Sequence, residues 1–247
     1  MAITNHAFSF KSLLASLPRG EPLSTRYFAQ KGLTPTHAAY LADHEWLVRL
    51  GRGAYMLPGD QLTRDGCLGF LFSNVERLHV GAKTALAWRG VQHNLEFRET
   101  IELWGDQSIR LPTWLTDRFP CRYQITQIFD DSLPKEFGVN SLPSGDPRVL
   151  VSGPERALLE LLSDTGKTIS LEEVRNLVES ARNLRLPIFE ELLTHLKRIK
   201  VARLAALLSA ELDLPWAAAA KQSSERLGGG ARWVATTKIG KRLSLRR

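Results

Sequence analysis

Side chains that can bind a nucleic acid are concentrated between residues 23 and 58, where two short helical segments flank a glycine and a basic hairpin follows. Arginine guanidinium groups pair with phosphates, and polar side chains near the start of a helix can reach base edges. This order of elements predicts a winged helix-turn-helix. The residues predicted to contact DNA are Arg26, Thr34, Thr36, His37, Tyr40, Arg49 and Arg52.

The first helix of this module is predicted to begin at Thr25 and to end at Gly32. The hydroxyl of Ser24 can accept a hydrogen bond from an N–H group that has no partner inside the first helical turn. Gly32 suits the other end because glycine readily adopts the left-handed conformation that follows many helices.

The second helix is predicted to cover residues 35–44, with Thr34 as its N-cap. Pro35 occupies the first helical position, where a missing N–H costs nothing. The apolar residues that recur at helical spacing and are predicted to face the core are Ala38, Leu41 and Ala42. The polar face of the same helix is then directed outward, as in a recognition helix.

A tight hairpin is predicted over residues 46–57, with Arg52 between two glycines at its tip. Glycine supplies the positive φ that such turns need. Arg49 and Arg52 are therefore expected to project towards phosphates or a minor groove. Residues 1–60 form the predicted DNA-binding domain, and the alternative is a small helical domain whose surface hairpin binds a protein.

Composition places the chain among ordinary globular proteins, because 43% of its 247 residues are hydrophobic and 24% are charged. No apolar run approaches the ~20 residues that a membrane span needs. The first residues lack the pattern of a signal peptide, so a cytoplasmic protein without membrane contact is expected. The two cysteines are far apart in sequence, and no disulfide is predicted.

Positive charge is unevenly distributed along the chain. Residues 1–60 have a net charge of +2, residues 61–195 of −4, and residues 196–247 of +9. A positive field at the end of the chain favours polyanionic partners. This basic last part therefore suggests that phosphate contacts are not confined to the predicted wing.

The remainder of the chain, residues 61–247, predicts a larger mixed α/β domain, so the fold class is α+β. Expected elements are a helix over 65–76, a strand and a helix over 78–91, strands or short elements of a mixed sheet over 98–137, a strand and a helix over 149–162, a helix with a Ser170–Glu173 capping box, helices from Pro187 to about Lys197 and over 200–211, and short strands from Gly228 to Arg247.

Motifs of enzyme active sites are missing from the sequence. We find no phosphate-binding loop, dinucleotide fingerprint, zinc-protease motif or nucleophile elbow. The segment from Ser152 to Arg156 could form an active-site loop, but a helix start with Pro154 in its first turn explains it better. No catalytic residue, metal site or cofactor is predicted, and the protein is not expected to be an enzyme.

A second group of cations lies in the basic last part of the chain. Its members are Lys197, Arg198, Lys200, Arg203 and Arg232. The three-residue spacing of the first lysines and Arg203 predicts one shared side of a helix. Two interpretations stay open: a second surface that contacts DNA or acts against a toxin, or a solvated basic helix face.

Several motifs spread along the chain resemble the AbiEi-type antitoxins and transcriptional regulators of type IV toxin–antitoxin, or abortive infection, systems. The matching stretches are Leu47–Tyr55, His79–Leu86 with Arg89, Gly90 and His93 after it, Leu111–Leu115, Ser152–Leu161, Lys200–Leu204 and Leu227–Arg232. Their order and spacing make the resemblance fairly specific. Two positions depart from the family pattern, which favours lysine where this chain has Ala202 and Ala231.

The resemblance implies a winged helix-turn-helix followed by an antitoxin domain. It implies that the protein binds inverted repeats in its own promoter, represses the operon, and opposes a nucleotidyltransferase-like toxin without needing a stable complex with it. A monomer that binds two half-sites cooperatively is expected. The alternatives are a plain winged-helix regulator without a toxin partner, an enzyme acting on nucleic acid, and a protein-binding adaptor.

Overall fold

A computed structural model describes Leu14, residues 16–91 and 99–228, and the backbone of residues 233–236 and 242–245. It divides into two compact units, an N-terminal unit (Met1–Leu71) and a C-terminal unit (Phe72–Arg247). Both helices and sheets are present, which confirms the α+β fold class. The division of the chain into domains after residue 60 stays a prediction.

The N-terminal unit contains the predicted helix-turn-helix and wing. Its elements are β1 (Leu23–Ser24), α1 (Thr25–Gln30), α2 (Pro35–Asp43), β2 (Val48–Gly51), β3 (Ala54–Met56) and most of α3 (Arg64–Asn74). The three strands form an antiparallel sheet in the order β1-β3-β2. Two helices followed by a hairpin, with a short strand before them, make a winged helix-turn-helix.

Local sequence signals set the ends of α1 and α2. The Ser24 hydroxyl accepts a hydrogen bond of 3.0 Å from the Tyr27 N–H, and α1 ends shortly before Gly32, which has φ +81°. The Thr34 hydroxyl accepts from the His37 N–H at 3.2 Å, and Pro35 occupies the first turn of α2. These hydrogen bonds confirm the predicted caps. The caps could be predicted from the sequence because each joins groups only a few residues apart.

One apolar cluster holds the N-terminal unit together. Its buried members are Leu17, Leu23, Phe28, Ala38, Leu41, Leu47, Tyr55 and Leu57. The rings of Phe28 and Tyr55 meet edge to face with centroids 5.8 Å apart, and this contact joins α1 to β3. Ala38 and Leu41 face this cluster and Ala42 packs against it, so the predicted apolar side of α2 is confirmed.

The C-terminal unit is built on a mixed sheet surrounded by helices. Its strands are β4 (His79–Val80), β5 (Ile101–Gly105), β6 (Cys121–Ile125), β7 (Val139–Ser141), β8 (Leu150–Ser152), β9 (Trp233–Thr236) and β10 (Arg242–Leu245). Its helices are α4 (Ala82–Trp88), α5 (Thr113–Thr116), α6 (Pro154–Asp164), α7 (Leu171–Ser180), α8 (Leu186–Thr194), α9 (Ile199–Glu211) and α10 (Ala217–Leu227). The order of the larger sheet is β6-β5-β4-β8-β7, and β9 and β10 pair separately.

Both parallel and antiparallel pairs occur in the larger sheet, as predicted. Strands β4 and β8 pair in parallel, as do β5 and β6, whereas β4 with β5 and β7 with β8 are antiparallel. The order places β4 at the centre, between strands that are distant in sequence. This placement brings His79 and Ser152 into the same core.

Three details differ from the sequence-based expectation. Residues 113–116 form the short helix α5 rather than a strand, beginning directly after Pro112. Helix α8 ends at Thr194, before Lys197, because the backbone beyond it pairs with residues 128–129. Helix α10 was not predicted, although its run of four alanines favours a helix.

Candidate nucleic-acid interface

The residues predicted to contact DNA are all exposed on the N-terminal unit. Helix α1 carries Arg26, α2 and its N-cap carry four of the others, and the hairpin carries the last two. None of the three arginines takes part in an ion pair within the part of the chain that the structure describes. The exposed face of the helix-turn-helix therefore offers cations that the protein itself does not neutralise.

Thr34 and His37 form a capping box at the start of α2. The imidazole Nδ1 of His37 lies 3.5 Å from the Thr34 backbone nitrogen and 3.1 Å from its hydroxyl oxygen. Because the Thr34 hydroxyl is engaged with the His37 N–H, its role here is to fix the helix end. Thr36, one position into the helix, remains exposed beside this cap.

Aromatic side chains continue the outer face of α2 towards its C-terminal end. Tyr40 is 57% exposed and lies against the ring of His44, with centroids 4.0 Å apart. Trp46 is 50% exposed and follows Glu45, whose φ of 62° is unusual for a residue with a side chain. The strained turn at Glu45 thus ends the helix and sets the direction of the chain entering the wing.

The wing presents Arg49 along a strand and Arg52 at the turn. Arg49 is opposite Tyr55 in the β2–β3 pair, and its guanidinium carbon lies 5.7 Å from the centroid of that ring. This stacking orients the Arg49 side chain while leaving it exposed. Arg52 precedes Gly53, whose φ of +72° lets the hairpin reverse tightly.

The second group of cations is not gathered on one exposed helix face. Lys197 lies before α9 and donates to the Gln127 amide oxygen at 3.3 Å, while Arg198 is the N-cap residue. Arg203 is only 4% exposed. The shared helix side that the spacing predicts is therefore incorrect for Lys197, because the helix begins at Ile199. A role of these residues towards DNA or a toxin stays a prediction.

Lys200 is partly buried and serves the fold. Its amine donates to the backbone oxygens of Ser163 and Thr165 at 2.9 and 2.6 Å, where α6 ends. Burial, together with the nearby charge of Lys167, lowers the pKa of Lys200 to about 8. A lysine at a helix C-terminus satisfies carbonyl groups that lack helical partners. This contact links α9 to α6.

Of the two positions at which the family pattern favours lysine, only Ala202 lies among the described residues. Ala202 is fully buried in α9, so a lysine at this place would have to enter the core. Arg232, His93 and Ala231 lie outside the described residues.

A buried polar network that the sequence did not predict occupies the centre of the C-terminal unit. The Glu160 carboxylate is 1% exposed and accepts hydrogen bonds from the Ser152 hydroxyl at 2.9 and 3.1 Å. His79 Nε2 lies 2.9 Å away, Arg156 Nε lies 3.0 Å away, and the Ala82 N–H donates at 3.0 Å. Burial alone would raise the pKa of Glu160, but these partners lower it to about 2.

This network explains the glycine in the motif that begins at His79. A Cβ atom at Gly81 would lie 2.5 Å from a Glu160 carboxylate oxygen and 2.6 Å from the Trp104 ring. Only glycine fits between them. The sequence signal for the network was Glu160 itself, four residues after Arg156 and between leucines on both sides. The segment from Ser152 to Arg156 is thus a helix start that contributes to a core, as predicted.

A second polar cluster joins β5, β6 and α6. One guanidinium nitrogen of Arg122 lies 2.5 Å from Glu102 and 3.0 Å from Asp164. The Gln124 amide also contacts Asp164. Burial raises the pKa of Glu102 to about 7, and the neighbouring Asp164 adds to this effect although Arg122 opposes it. The arginine here is shared between two acids inside the protein.

Within the described ranges, no helix has the length and apolar content to cross a bilayer. The same residues contain no group of three histidine, cysteine or acidic side chains arranged to hold a metal ion.

The fold is that of a winged helix-turn-helix domain followed by a larger C-terminal domain. Family models match nearly the whole chain. Residues 6–97 match the N-terminal domain of the AbiEi antitoxin transcriptional regulators, and residues 98–244 match the model described as transcriptional regulator, AbiEi antitoxin, type IV TA system. The chain belongs to this AbiEi family.

Comparison with solved structures supports the same fold. The crystal structure of the RV2827C protein from Mycobacterium tuberculosis aligns with a TM-score of 0.58 at 14% identity, covering 90% of this chain and 80% of that one. At this identity the likeness concerns the fold alone. A search of curated proteins found no match.

Proposed function

We propose that this regulator binds DNA upstream of its own gene through α2 and the wing, and thereby represses the operon. The observation that carries the proposal is the set of exposed arginines, Arg26, Arg49 and Arg52, which form no ion pair in the described part of the chain. Arginines without an internal acid are free to neutralise phosphates and release counterions. DNA is the polyanion for which a winged helix-turn-helix is shaped.

Helix α2 enters the major groove in this proposal. Thr36, His37 and Tyr40 lie on its exposed side and reach base edges or phosphates. Arg26 and Arg49 bind phosphates of the DNA backbone. Arg52 extends from the wing to a phosphate or a minor groove. The basic last part of the chain has net charge +9 over residues 196–247 and adds phosphate contacts through cations other than Lys200 and Arg203, which are held inside the fold.

Substitution of Arg52 by alanine tests this interface. We expect Arg52→Ala to weaken binding to the upstream duplex for all sequences and to reduce the slope of log K against log salt by about 1, because one phosphate contact is lost. Fluorescence anisotropy titrations at several salt concentrations measure both quantities. Arg148→Ala is the matched control, since Arg148 already pairs with Asp146 at 2.6 Å. Equal slopes for wild type and Arg52→Ala would remove Arg52 from the interface.

The second half of the proposal is action against a nucleotidyltransferase-like toxin encoded next to this gene. The family description, which names an antitoxin of a type IV system, supports this role. A stable complex with the toxin is not required. The protein acts in the cytoplasm as a monomer that occupies two half-sites of an inverted repeat cooperatively.

Co-expression of the full chain with the neighbouring toxin gene tests antitoxin action. Wild type is expected to restore growth, and Arg52→Ala is expected to do the same, because toxin neutralisation does not use the wing. Growth arrest despite normal accumulation of the wild-type chain would refute the antitoxin role. Light scattering of the purified protein, alone and with the duplex, checks the monomer and its two-site binding.

A further inference from the structure

Two exposed histidines, one in α2 and one directly after it, each make a hydrogen bond to the nearby backbone through the ring atom Nδ1. The partner is a donor in one case and an acceptor in the other. His37 Nδ1 faces the backbone nitrogen of Thr34 at 3.5 Å, whereas His44 Nδ1 faces the backbone oxygen of Tyr40 at 2.9 Å. A backbone N–H can only donate and a carbonyl can only accept. The two neutral rings must therefore carry their hydrogens on different nitrogens.

For His37, the capping box makes Nδ1 the acceptor. The Thr34 hydroxyl oxygen accepts from the His37 backbone N–H at 3.2 Å, so its own hydrogen is also available to Nδ1 at 3.1 Å. The hydrogen of the neutral ring is then on Nε2, which has no partner among the described residues. For His44 the reverse holds, and its Nε2 presents a lone pair.

We propose that His37 is a specificity-determining residue that donates its Nε2 hydrogen to the major-groove edge of a guanine. This inference rests on the proposed binding of DNA through α2. Guanine presents two adjacent acceptors in the major groove, N7 and O6, whereas adenine places an amino donor beside its N7. A fixed single donor is attracted by both guanine atoms, whereas at adenine it is attracted by N7 and repelled by the neighbouring amino group.

Position and order support this role. His37 is the third residue of α2, and the N-terminal residues of a recognition helix are those that approach base edges. The capping box holds the ring before DNA arrives, so less side-chain freedom is lost on binding. Thr36 and Tyr40 lack such a fixed donor, because each hydroxyl can rotate to donate or accept.

The experiment uses the full chain and the duplex upstream of the gene, with single guanines replaced by 7-deazaguanine. We expect one guanine in each half-site at which this change weakens wild-type binding about tenfold, the effect of about one lost hydrogen bond. His37→Ala should bind the unmodified duplex about tenfold more weakly and show no further loss at that guanine. Its salt slope should equal that of wild type, since the proposed contact is to a base edge and not to a phosphate.

Two further variants keep the test independent of helix stability. His37→Gln retains a residue suited to the capping box and can present an amide donor outward, so it should keep part of the sensitivity to 7-deazaguanine. His44→Ala removes the ring of opposite polarity and should keep the full sensitivity. Circular dichroism confirms that each variant is folded.

The possible failures are distinct. If wild type does not bind the unmodified duplex, the proposed function is wrong and this inference falls with it. If wild type binds but no 7-deazaguanine weakens binding, or if His37→Ala remains as sensitive as wild type, the assignment of His37 is wrong while DNA binding stands.

Discussion

The arginines of the wing and those of the C-terminal core are used in opposite ways. In the N-terminal unit, Arg49 and Arg52 are exposed and form no described ion pair. In the C-terminal unit, Arg122 and Arg156 have their guanidinium groups on buried carboxylates. Net charge counts both kinds equally, yet only exposed and unpaired cations can neutralise a partner's phosphates. Accessible charge is therefore a better guide to a binding surface than the charge of a segment.

Arg89 is a further cation whose guanidinium binds groups of the protein itself. Its guanidinium donates to the backbone oxygens of Ser152 and Val151 at 2.6 and 2.9 Å and to both oxygens of Asn140. Burial lowers the pKa of Arg89, and these acceptors offset the cost of removing the charge from water. The side chain thereby fastens α4 to β7 and β8.

The largest effect on stability is expected when the charge on Glu160 is removed. We expect Glu160→Gln to lower the free energy of unfolding by about 3 to 5 kcal/mol, because a buried carboxylate is lost and the partly buried Arg156 is left without its acid. Urea denaturation followed by circular dichroism measures the change. Glu179→Gln, at an exposed acid on α7, is the control and should stay within about 0.5 kcal/mol. A loss below 1 kcal/mol for Glu160→Gln would show that the network does not stabilise the fold.

An effect of intermediate size is expected in the pH dependence of the free energy of unfolding. The pKa of Glu102 is about 7 in the folded chain, against an ordinary value of 4.5. Because the folded state retains the proton over this range, the free energy of unfolding should fall as pH rises from 4.5 to 7, by up to about 3 kcal/mol. Urea denaturation at a series of pH values measures this slope.

Glu102→Gln identifies the source of that slope. A glutamine does not titrate, so the variant should lose most of the fall between pH 4.5 and 7. The raised pKa of Asp164, also caused mainly by burial, leaves a smaller dependence. A variant with the slope of wild type would assign the effect to another group.

The smallest expected effect is in the N-terminal unit. Glu45 has φ 62°, a conformation that glycine adopts without strain, so Glu45→Gly should raise stability by about 0.5 to 1 kcal/mol. Glu45→Ala keeps the Cβ atom and should give no such gain. Thermal unfolding of both variants measures the difference, and equal melting temperatures would show that the turn is not strained.

Sequence patterns predicted the winged helix-turn-helix well because its determinants are local. The Ser24 and Thr34 caps each join groups three residues apart, and the apolar spacing of α2 directs its outer face to solvent. The same reasoning was less successful near α9, where Lys200 reaches backbone oxygens more than 30 residues away. Spacing within one helix cannot indicate such partners.

By itself, the sequence determined the ends of α1 and α2, the wing and the exposure of the residues assigned to DNA contact, since capping, turn geometry and helical periodicity act over a few residues. Only the tertiary structure decided which cations are available to a partner. His79, Ser152 and Glu160 meet because β4 lies between β5 and β8, an order fixed by sheet pairing and core packing. Because these groups are buried, their charges are neutralised inside the protein and cannot reach a partner. The sequence alone does not distinguish them from the charges of the wing.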